Sequence, residues 1–476
     1  MDSEILFRER YGALGHETIY VKSPDQNVVV CLGSSDTLPR SLFYVFTASF
    51  REVFLPQGYP ESVSADYLDY QIWDTVQAFC SSICGALTTQ AIMKGVGVGD
   101  NVATPLGAAV MWIFKDGTGM VGRIVFAWWK GTFLDADCKK WRLFADFLND
   151  IAMGIELFLP YFMEYSTQIL CLSTSMKAIV GVAGGATRAA ITQHQAIRDN
   201  MADVSAKDGS QETFVNLTAS MLGILILSLC TEERYSWGLF ITITILHLYA
   251  NYKAVRSLRL LSLNPGRLIL LLQTYLMKGV ITCPEIINKE ESVFLGSGLT
   301  DLDLCGHHVI LGTSLKKILS SGVISAEDLN LLANLYRKRK YMLVADTKNK
   351  KIYVALQHKV QPVEIIEAYF HAVLLGICIS LFSGSSLKTL QMDKKEVSCP
   401  LHRLETLMNK YNAGSKKAMR IPLEAVLATD DVISKEFSEF FTALRSIGWS
   451  TRNHQLGVDE WRSNWTSETH LHSKTL

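Results

Sequence analysis

The sequence predicts a mainly α-helical protein, with a multi-helix membrane-embedded N-terminal domain followed by a smaller cytosolic α+β domain. Hydrophobic residues make up 49% of the 476 residues and charged residues only 19%, below the roughly 25% of an average soluble domain. Two stretches, 214–230 and 237–252, are continuously apolar rather than alternating. The C-terminal third instead combines a basic run, two strand-like segments and amphipathic helices, which is typical of a soluble α+β domain.

Composition also excludes some classes of protein. The chain has 46 Lys and Arg against 46 Asp and Glu, so it has no overall basic field for binding nucleic acid. Its 10 cysteines are scattered, with Cys80 and Cys84 the only close pair, which favours a reduced intracellular setting over a disulfide framework. The first 20 residues lack the apolar core of a signal peptide. We therefore expect membrane insertion through internal helices.

The pattern divides the chain into four segments. Residues 1–60 form a lead-in, with a hairpin of strands at 18–21 and 28–32 and an amphipathic helix at 42–54 that lies either on a membrane or on the domain. Residues 61–255 form the helical membrane domain, with helices at 66–93, 142–159 and 169–186 before the two spans. Residues 256–460 form the α+β domain, and residues 461–476 form a flexible tail.

Positive charges orient the two predicted spans. Basic side chains lie before the first span and after the second, at Arg188, Arg198, Lys207, Lys253, Arg256, Arg259 and Arg267. Because cytoplasmic flanks of spans carry an excess of Lys and Arg, both flanks are predicted to be cytosolic. The C-terminal domain then also lies in the cytosol, on an intracellular membrane whose organelle stays open.

Residues 94–123 combine glycines and charges with apolar sequence. Neither apolar run on its own reaches the roughly 20 residues of a span, and the glycine-rich segment near Lys115 and Asp116 separates them. The six residues from Gly117 to Gly122 match GxGxxG, with Asp137 at the distance of a dinucleotide fingerprint, although the flanks are not strand-like. Other interpretations are close-packing glycines or a helix break. We favour the break, whose free N–H groups would bind an anion beside Lys115 and Arg123.

The candidate ligand-binding residues are charges near the apolar helices. Asp146 and Asp150 lie one helical turn apart on the same face as Arg142, so that two carboxylates and a guanidinium can meet there. Charges at membrane depth usually face a cavity or a partner, although the same residues also fit the polar ends of helices. The complete candidate set is Asp100, Lys115, Asp116, Arg123, Arg142, Asp146, Asp150, Arg188 and Asp208.

The C-terminal third contains strands at 341–346 and 351–357, an apolar helix at 363–381 and an amphipathic helix at 434–447. The N-terminal hairpin is one candidate for completing this sheet. No combination of nucleophile and base and no set of metal ligands stands out anywhere in the chain. We therefore expect no catalytic residues, cofactor or metal, and an enzyme is the least favoured class.

Five blocks resemble the root UVB-sensitive family and identify the chain as similar to an animal member. The blocks are FLPQGYPESVSADYLDYQIWD (54–74), GVGVGD (95–100), KDGTGMVGRI (115–124), KKWRLFADFLND (139–150) and NMADVSAKDGSQET (200–213). The resemblance is dense from about residue 40 to 260. It implies membrane association and, from plant relatives, links to UV-B responses, development, auxin distribution and vitamin B6 homeostasis, but no reaction and no catalytic residues.

Together these observations predict a multi-spanning protein that binds or moves a small polar or anionic metabolite. Vitamin B6-like phosphate esters are the ligand class that the resemblance implies. The alternative is a membrane-anchored adaptor that acts through its C-terminal domain. The expected partners are the lipid bilayer, a small anionic ligand, and a protein partner or family paralogue.

Overall fold

The computed structural model describes most of the chain. The described residues are 5–11, 16–22, 29–32, 49–96, 105–229, 233–322, 324–384, 387, 389–390, 399–414 and 421–465. The described chain is mainly helical, with two small sheets, as the sequence predicts. It divides into two compact units, Met1–Leu258 and Arg259–Leu476.

The first sheet lies at the start of unit 1. It contains β1 (Ile5–Tyr11), β2 (His16–Lys22) and β3 (Val29–Leu32), all antiparallel, with Ile19 opposite Leu32. The predicted hairpin is therefore present as β2 and β3. Its third strand is β1, so the idea that it completes the C-terminal sheet is wrong. Of the predicted amphipathic helix, residues 49–54 are helical, and the remainder lies outside the described residues.

The rest of unit 1 is a helical bundle. Its long helices in the described chain are α1 (Tyr67–Gly95), α2 (Pro105–Lys130), α3 (Cys138–Leu157), α4 (Ser166–Gln195), α5 (Met201–Leu229) and α6 (Glu233–Ser257). Helix α1 is central, since it packs against α3, α5 and α6, while α4 packs against α2 and α3. The apolar contact between α1, α3 and α6 includes Leu87, Met153 and Phe240.

The predicted helix break near Lys115 is wrong, because α2 is continuous from Pro105 to Lys130. The Lys115 ammonium lies 3.3 Å from the Asp116 carboxylate and 3.7 Å from the Trp112 ring centre, so the charges are compensated without a break. A Cβ at Gly119 would lie 3.0 Å from the Thr174 methyl group. The glycines thus allow α2 to pack closely on α4. The dinucleotide interpretation also fails, since a fingerprint needs a strand and a turn before the helix.

Four helices in the described chain are long and apolar enough to cross a membrane. They are Tyr67–Gly95, Met163–Gln195, Met201–Leu229 and Pro362–Phe382. In the first three, 39%, 22% and 17% of the apolar window is buried against protein, so most of that apolar surface is not covered by protein. The fourth is 83% buried, as expected of a core helix. The predicted span at 237–252 is helical in α6 but is not among the four.

Unit 2 is an α/β domain built on one core helix. Its sheet contains β4 (His308–Leu311), β5 (Tyr341–Asp346) and β6 (Lys351–Leu356) in the order β4-β6-β5, with β4 and β6 parallel. Helix α12 (Pro362–Phe382) packs against all three strands and against α14 (Ile421–Ser446). The helices of unit 2 are α7 (Pro265–Lys278), α8 (Pro284–Glu290), α9 (Asp301–Cys305), α10 (Leu315–Ser320), α11 (Ala326–Leu335), α12 (Pro362–Phe382), α13 (Pro400–Gly414) and α14 (Ile421–Ser446).

One cation used to orient the spans is buried in unit 2. Arg267 is 0% exposed, and its guanidinium lies 3.1 Å from a carboxylate oxygen of Glu291. It also donates to the Ser262 carbonyl at 2.8 Å. Arg267 is therefore part of a domain core and not a side chain at a membrane surface. The charge argument for orientation then depends on Lys253, Arg256 and Arg259 after the second predicted span.

Two glycines of α1 provide a matched test of the bundle. A Cβ at Gly95 would overlap the buried Leu159 side chain and lie 3.1 Å from the Leu159 carbonyl carbon, whereas a Cβ at Gly85 meets nothing within 4 Å. We expect Gly95→Ala to destabilise the bundle by about 1–3 kcal/mol through overpacking. Gly85→Ala should be neutral or stabilise by up to about 1 kcal/mol. Thermal unfolding of the two purified variants measures the difference, and equal stabilities would contradict the α1 packing.

Candidate functional site

A ladder of polar side chains joins α3 and α6 inside the bundle. In the first rung, Asn251 Nδ2 donates to Asp146 Oδ2 at 2.6 Å. In the second, His247 Nδ1 lies 2.8 Å from Asp150 Oδ2. Each helix contributes residues four positions apart, so both side chains of each helix point to the same face. His247 and Asn251 are 0% exposed, and Asp146 and Asp150 are 8% and 5% exposed.

Gln77 of α1 connects the two rungs. Its amide nitrogen lies 2.9 Å from Asp146 Oδ2 and 2.9 Å from His247 Nε2. If the amide were turned over, its oxygen would face the carboxylate oxygen of Asp146, so the nitrogen is the group that makes both contacts. His247 Nε2 is then an acceptor, and Nδ1 carries the proton donated to Asp150. This geometry specifies a neutral imidazole between an amide and a carboxylate.

An ion pair extends the ladder along α1. Arg142 Nη2 donates to Asp74 Oδ1 at 2.8 Å, and the Tyr70 hydroxyl lies 3.3 Å from the same oxygen. We call the connected set the polar ladder: it comprises Asp74, Gln77, Arg142, Asp146, Asp150, His247 and Asn251.

Two acceptors in the polar ladder lack a donor. In the described part of the chain, Asp150 Oδ1 and Asn251 Oδ1 are buried and make no hydrogen bond. A buried acceptor left without a donor costs about 1–3 kcal/mol. Such groups in a native structure are often part of a functional site.

A second polar cluster joins α1, α4 and α5. Arg188 donates to Asp208 Oδ2 at 2.6 Å and to Glu212 at 2.5 Å, and Gln71 Nε2 donates to Asp208 Oδ1 at 3.2 Å. Asp208 is 8% exposed and Gln71 is 6% exposed. Since Gln71 is three residues before Asp74 on α1, this cluster and the polar ladder are neighbours on the same helix.

The structure brings together five of the nine candidate residues. Arg142, Asp146 and Asp150 lie in the polar ladder, and Arg188 and Asp208 lie in the second cluster. Asp116 and Arg123 are exposed on α2, so they do not join Asp146 or Asp208 in a buried cluster. The reason is that α2 packs through its glycines, which leaves its charges outside; Lys115 pairs with Asp116 there. Asp100 lies outside the described residues.

Sequence reasoning missed the partners of the two aspartates. In the sequence, His247 and Asn251 belong to the apolar span predicted at 237–252, and Gln77 belongs to the helix predicted at 66–93. One signal was available, because a histidine and an asparagine four residues apart in an apolar helix mark an interior face. Nothing in the sequence indicated which carboxylate each of them meets.

The charges of the site are unbalanced toward the negative. In the polar ladder, Asp74, Asp146 and Asp150 face the single guanidinium of Arg142, and in the second cluster Arg188 faces two carboxylates. Both guanidinium groups are therefore paired with carboxylates, and among the described residues Arg142 Nε remains a buried donor without an acceptor. The described residues contain no group of three or more His, Cys, Asp or Glu side chains arranged to bind a metal ion. The arrangement is suited to a hydrogen-bond donor or a cationic group rather than to a free phosphate.

Unit 2 has a separate groove of about 340 Å³, lined by Glu367 of α12 and by Ser434, Phe437, Ser438, Phe441 and Thr442 of α14. Arg339 donates to Glu367 at 2.7 Å and contacts Asp430 at 2.8 Å. Burial raises the pKa of the Tyr341 hydroxyl beside it, and the Glu367 carboxylate adds to this effect. Tyr341 therefore remains a neutral donor or acceptor at physiological pH.

The rung between Asn251 and Asp146 can be tested by a double-mutant cycle. We expect Asn251→Leu to destabilise the bundle by about 1.5–3 kcal/mol, because it removes a hydrogen bond to a buried charged group. The same substitution should cost less in an Asp146→Leu background, with a coupling of about 0.5–3 kcal/mol. Denaturant unfolding of the four purified proteins gives the cycle, and fully additive effects would show that the rung carries no energy.

Comparisons with known proteins assign the family. Residues 44–279 match the family model of the vitamin B6 photo-protection and homoeostasis domain, and residues 280–465 match that of the root UVB sensitive protein C-terminal region. RUS family member 1 of Dictyostelium discoideum is 47% identical over 258 residues, which cover 53% of this chain and 49% of that protein. The alignment thus spans about half the length of the Dictyostelium relative.

Plant proteins match over more of the chain. Protein root UVB sensitive 3 of Arabidopsis thaliana is 33% identical over 423 residues, covering 88% of this chain and 86% of that protein. Protein root UVB sensitive 6 of the same plant is 27% identical over 356 residues, covering 75% and 69%. No solved structure matches the chain. Since the two family models and these relatives account for most of its length, the chain belongs to the root UVB sensitive (RUS) family.

Proposed function

We propose that this protein is a multi-spanning membrane protein whose helical unit binds or transports a small polar metabolite related to vitamin B6. The observation that carries the proposal is the polar ladder, a connected set of charged and amide side chains enclosed by apolar helices. Ionisable side chains at membrane depth cost on the order of 2.5–3.5 kcal/mol each on insertion scales. A bundle that holds several of them together is well explained by a ligand that needs them. The vitamin B6 relation comes from the description of the matching family domain.

The charge balance narrows the ligand class. The sequence favours an anionic ligand such as a phosphate ester, but Arg142 and Arg188 are each paired with carboxylates at 2.8 Å or less. A phosphate would meet the unpartnered Arg142 Nε, but to take the other guanidinium nitrogens it would have to displace these carboxylates and leave them buried without a partner, which is costly. A vitamer with a protonated amine or ring nitrogen and no phosphate group would add a positive charge, which offsets the excess of carboxylates in the polar ladder. We therefore favour unphosphorylated vitamers.

The membrane arrangement is part of the same proposal. The three candidate spans of unit 1 have apolar faces that protein does not cover. Trp128 and Trp129, 85% and 63% exposed, are next to Lys130 at the end of α2, and this combination is typical of a membrane interface. We propose that unit 2 lies in the cytosol, on the side of Lys253 and Arg256.

Alkaline extraction tests the membrane part. Carbonate washing should leave the protein in the membrane pellet, because buried apolar helices do not depend on charge for their attachment. Immunoblots of the pellet and the supernatant give the result, with a peripheral protein of the same membrane as the control. Release into the supernatant would remove the membrane-spanning interpretation and the transport proposal with it.

Substitution of Asp146 tests the ligand site. In proteoliposomes, Asp146→Asn should lower uptake or binding of pyridoxine by tenfold or more, equivalent to about 1.4 kcal/mol of lost interaction. Asp116→Asn is the matched control, since the Asp116 side chain is 61% exposed, and should leave uptake unchanged. Pyridoxal phosphate should be taken up less well than pyridoxine by the unmodified protein. Equal loss in both variants, or preference for the phosphate ester, would contradict the proposed site.

The second candidate function is an adaptor that acts through unit 2. This candidate is favoured by the independent organisation of the unit, which has its own core and its own family model over residues 280–465. An adaptor predicts that unit 2, tethered to the same membrane by an unrelated span, restores function to cells that lack the protein. The transport proposal predicts no rescue. The converse measurement uses the full-length protein with Asp146→Asn. An adaptor with this change should still restore function to cells that lack the protein, whereas a transporter should not.

A further inference from the structure

The surroundings of Asp150 contain more buried negative charge than positive charge. The titratable groups that interact with Asp150 are His247 of α6, Asp146 of its own helix, and the thiols of Cys80 and Cys84 of α1. The other charged groups of the polar ladder are Asp74 and Arg142. The Lys177 ammonium and the Glu156 carboxylate form their own pair at 2.6 Å. Arg142 compensates Asp74, and two carboxylates then remain without a cation.

Burial makes this imbalance costly. Asp146 is 8% exposed and Asp150 is 5% exposed, and an isolated ionised carboxylate removed from water usually becomes neutral by taking up a proton. Asp146 receives two donors, from Gln77 and Asn251, at 2.9 and 2.6 Å. Asp150 receives only the donor of His247, at 2.8 Å. Asp150 is therefore the carboxylate that is less stabilised in its charged form.

The geometry also provides a position for the proton. Asp150 Oδ1 makes no hydrogen bond within the described chain, and neither does Asn251 Oδ1, which belongs to the adjacent rung. A proton on Asp150 Oδ1 turns one unpaired buried acceptor into a donor and removes the charge from the carboxylate. A proton on His247 Nε2 would instead require the Gln77 amide to turn over and give up its bond to Asp146. Asp150 is thus favoured over His247.

We propose that Asp150 is protonated in the resting protein and exchanges this proton with a cationic ligand. The exchange with a ligand rests on the proposed function. It deepens that function by naming Asp150 as the group that the ligand would neutralise. In the exchange, Asp150 loses its proton to solvent, and the ligand cation takes the position of that proton beside the carboxylate. Net charge in the bundle stays constant, so neither step leaves an additional charge buried.

Infrared difference spectroscopy tests the protonated state without any ligand. The full-length protein in lipid nanodiscs should show the carbonyl stretch of a buried carboxylic acid at neutral pH. Asp150→Asn should remove this band, Asp150→Glu should retain it at a shifted frequency, and Asp116→Asn should leave it unchanged. The Asp150→Glu arm keeps the test valid if Asp150→Asn fails to fold.

Three results would overturn the inference. A band that survives Asp150→Asn but disappears in Asp146→Asn would assign the proton to the other rung. Absence of the band, together with stabilisation by sodium but not by choline, would assign the charge balance to a metal cation. Absence of both the band and the stabilisation by sodium would mean that the carboxylates are ionised and hydrated. In contrast, a band that depends on Asp150 without pyridoxine uptake would support the proton and contradict the transport proposal.

Discussion

The bundle of unit 1 depends on the cost of removing carboxylates from water. Asp146 and Asp150 of α3 are enclosed by apolar helices, and each needs donors that its own helix does not supply, because the backbone N–H groups of a helix interior are already bonded. The donors come from Gln77 of α1 and from His247 and Asn251 of α6. These contacts fix the rotation of three helices about their axes, which apolar packing alone specifies weakly. Removing a donor of Asp146 leaves a buried charge whose cost exceeds that of an ordinary lost hydrogen bond.

Features that depend on local sequence were predictable. The positions of α1 and α3, the second half of α5, the strands β2, β3, β5 and β6, and the apolar core helix α12 follow from hydrophobic periodicity and from turn residues, which act over a few positions. The meeting of Arg142, Asp146 and Asp150 on one face follows from helical geometry alone. In each case the information lies within a single helix or hairpin, where neighbours in the chain are also neighbours in space.

Features that depend on contact between helices were not predictable. Glycines at 117, 119 and 122 are compatible with a broken helix and with a closely packed one, and only the presence of Thr174 on α4 decides between them. Arg267 follows an apolar segment as an interfacial cation would, but Glu291, 24 residues later, buries it in a domain core. His247 belongs to an apolar stretch, and its role appears only when Asp150 of α3 is beside it. The partner in each case is distant in sequence, and a single sequence does not specify which distant segments meet.

Helix α1 connects the two polar clusters and thereby constrains how a ligand can act. Gln71 donates to Asp208 in one cluster, and Gln77 donates to Asp146 in the other. A ligand that replaced a carboxylate at Arg142 or Arg188 would leave that carboxylate without its partner, whereas a donor can bind the unpartnered Asp150 Oδ1 and an acceptor the unpartnered Arg142 Nε. Replacing a partner of Asp146 releases Gln77, and a rotation or shift of α1 that follows would also move Gln71. If a ligand binds at the polar ladder as proposed, α1 is the element through which its binding would reach the contact between α4 and α5 in the second cluster.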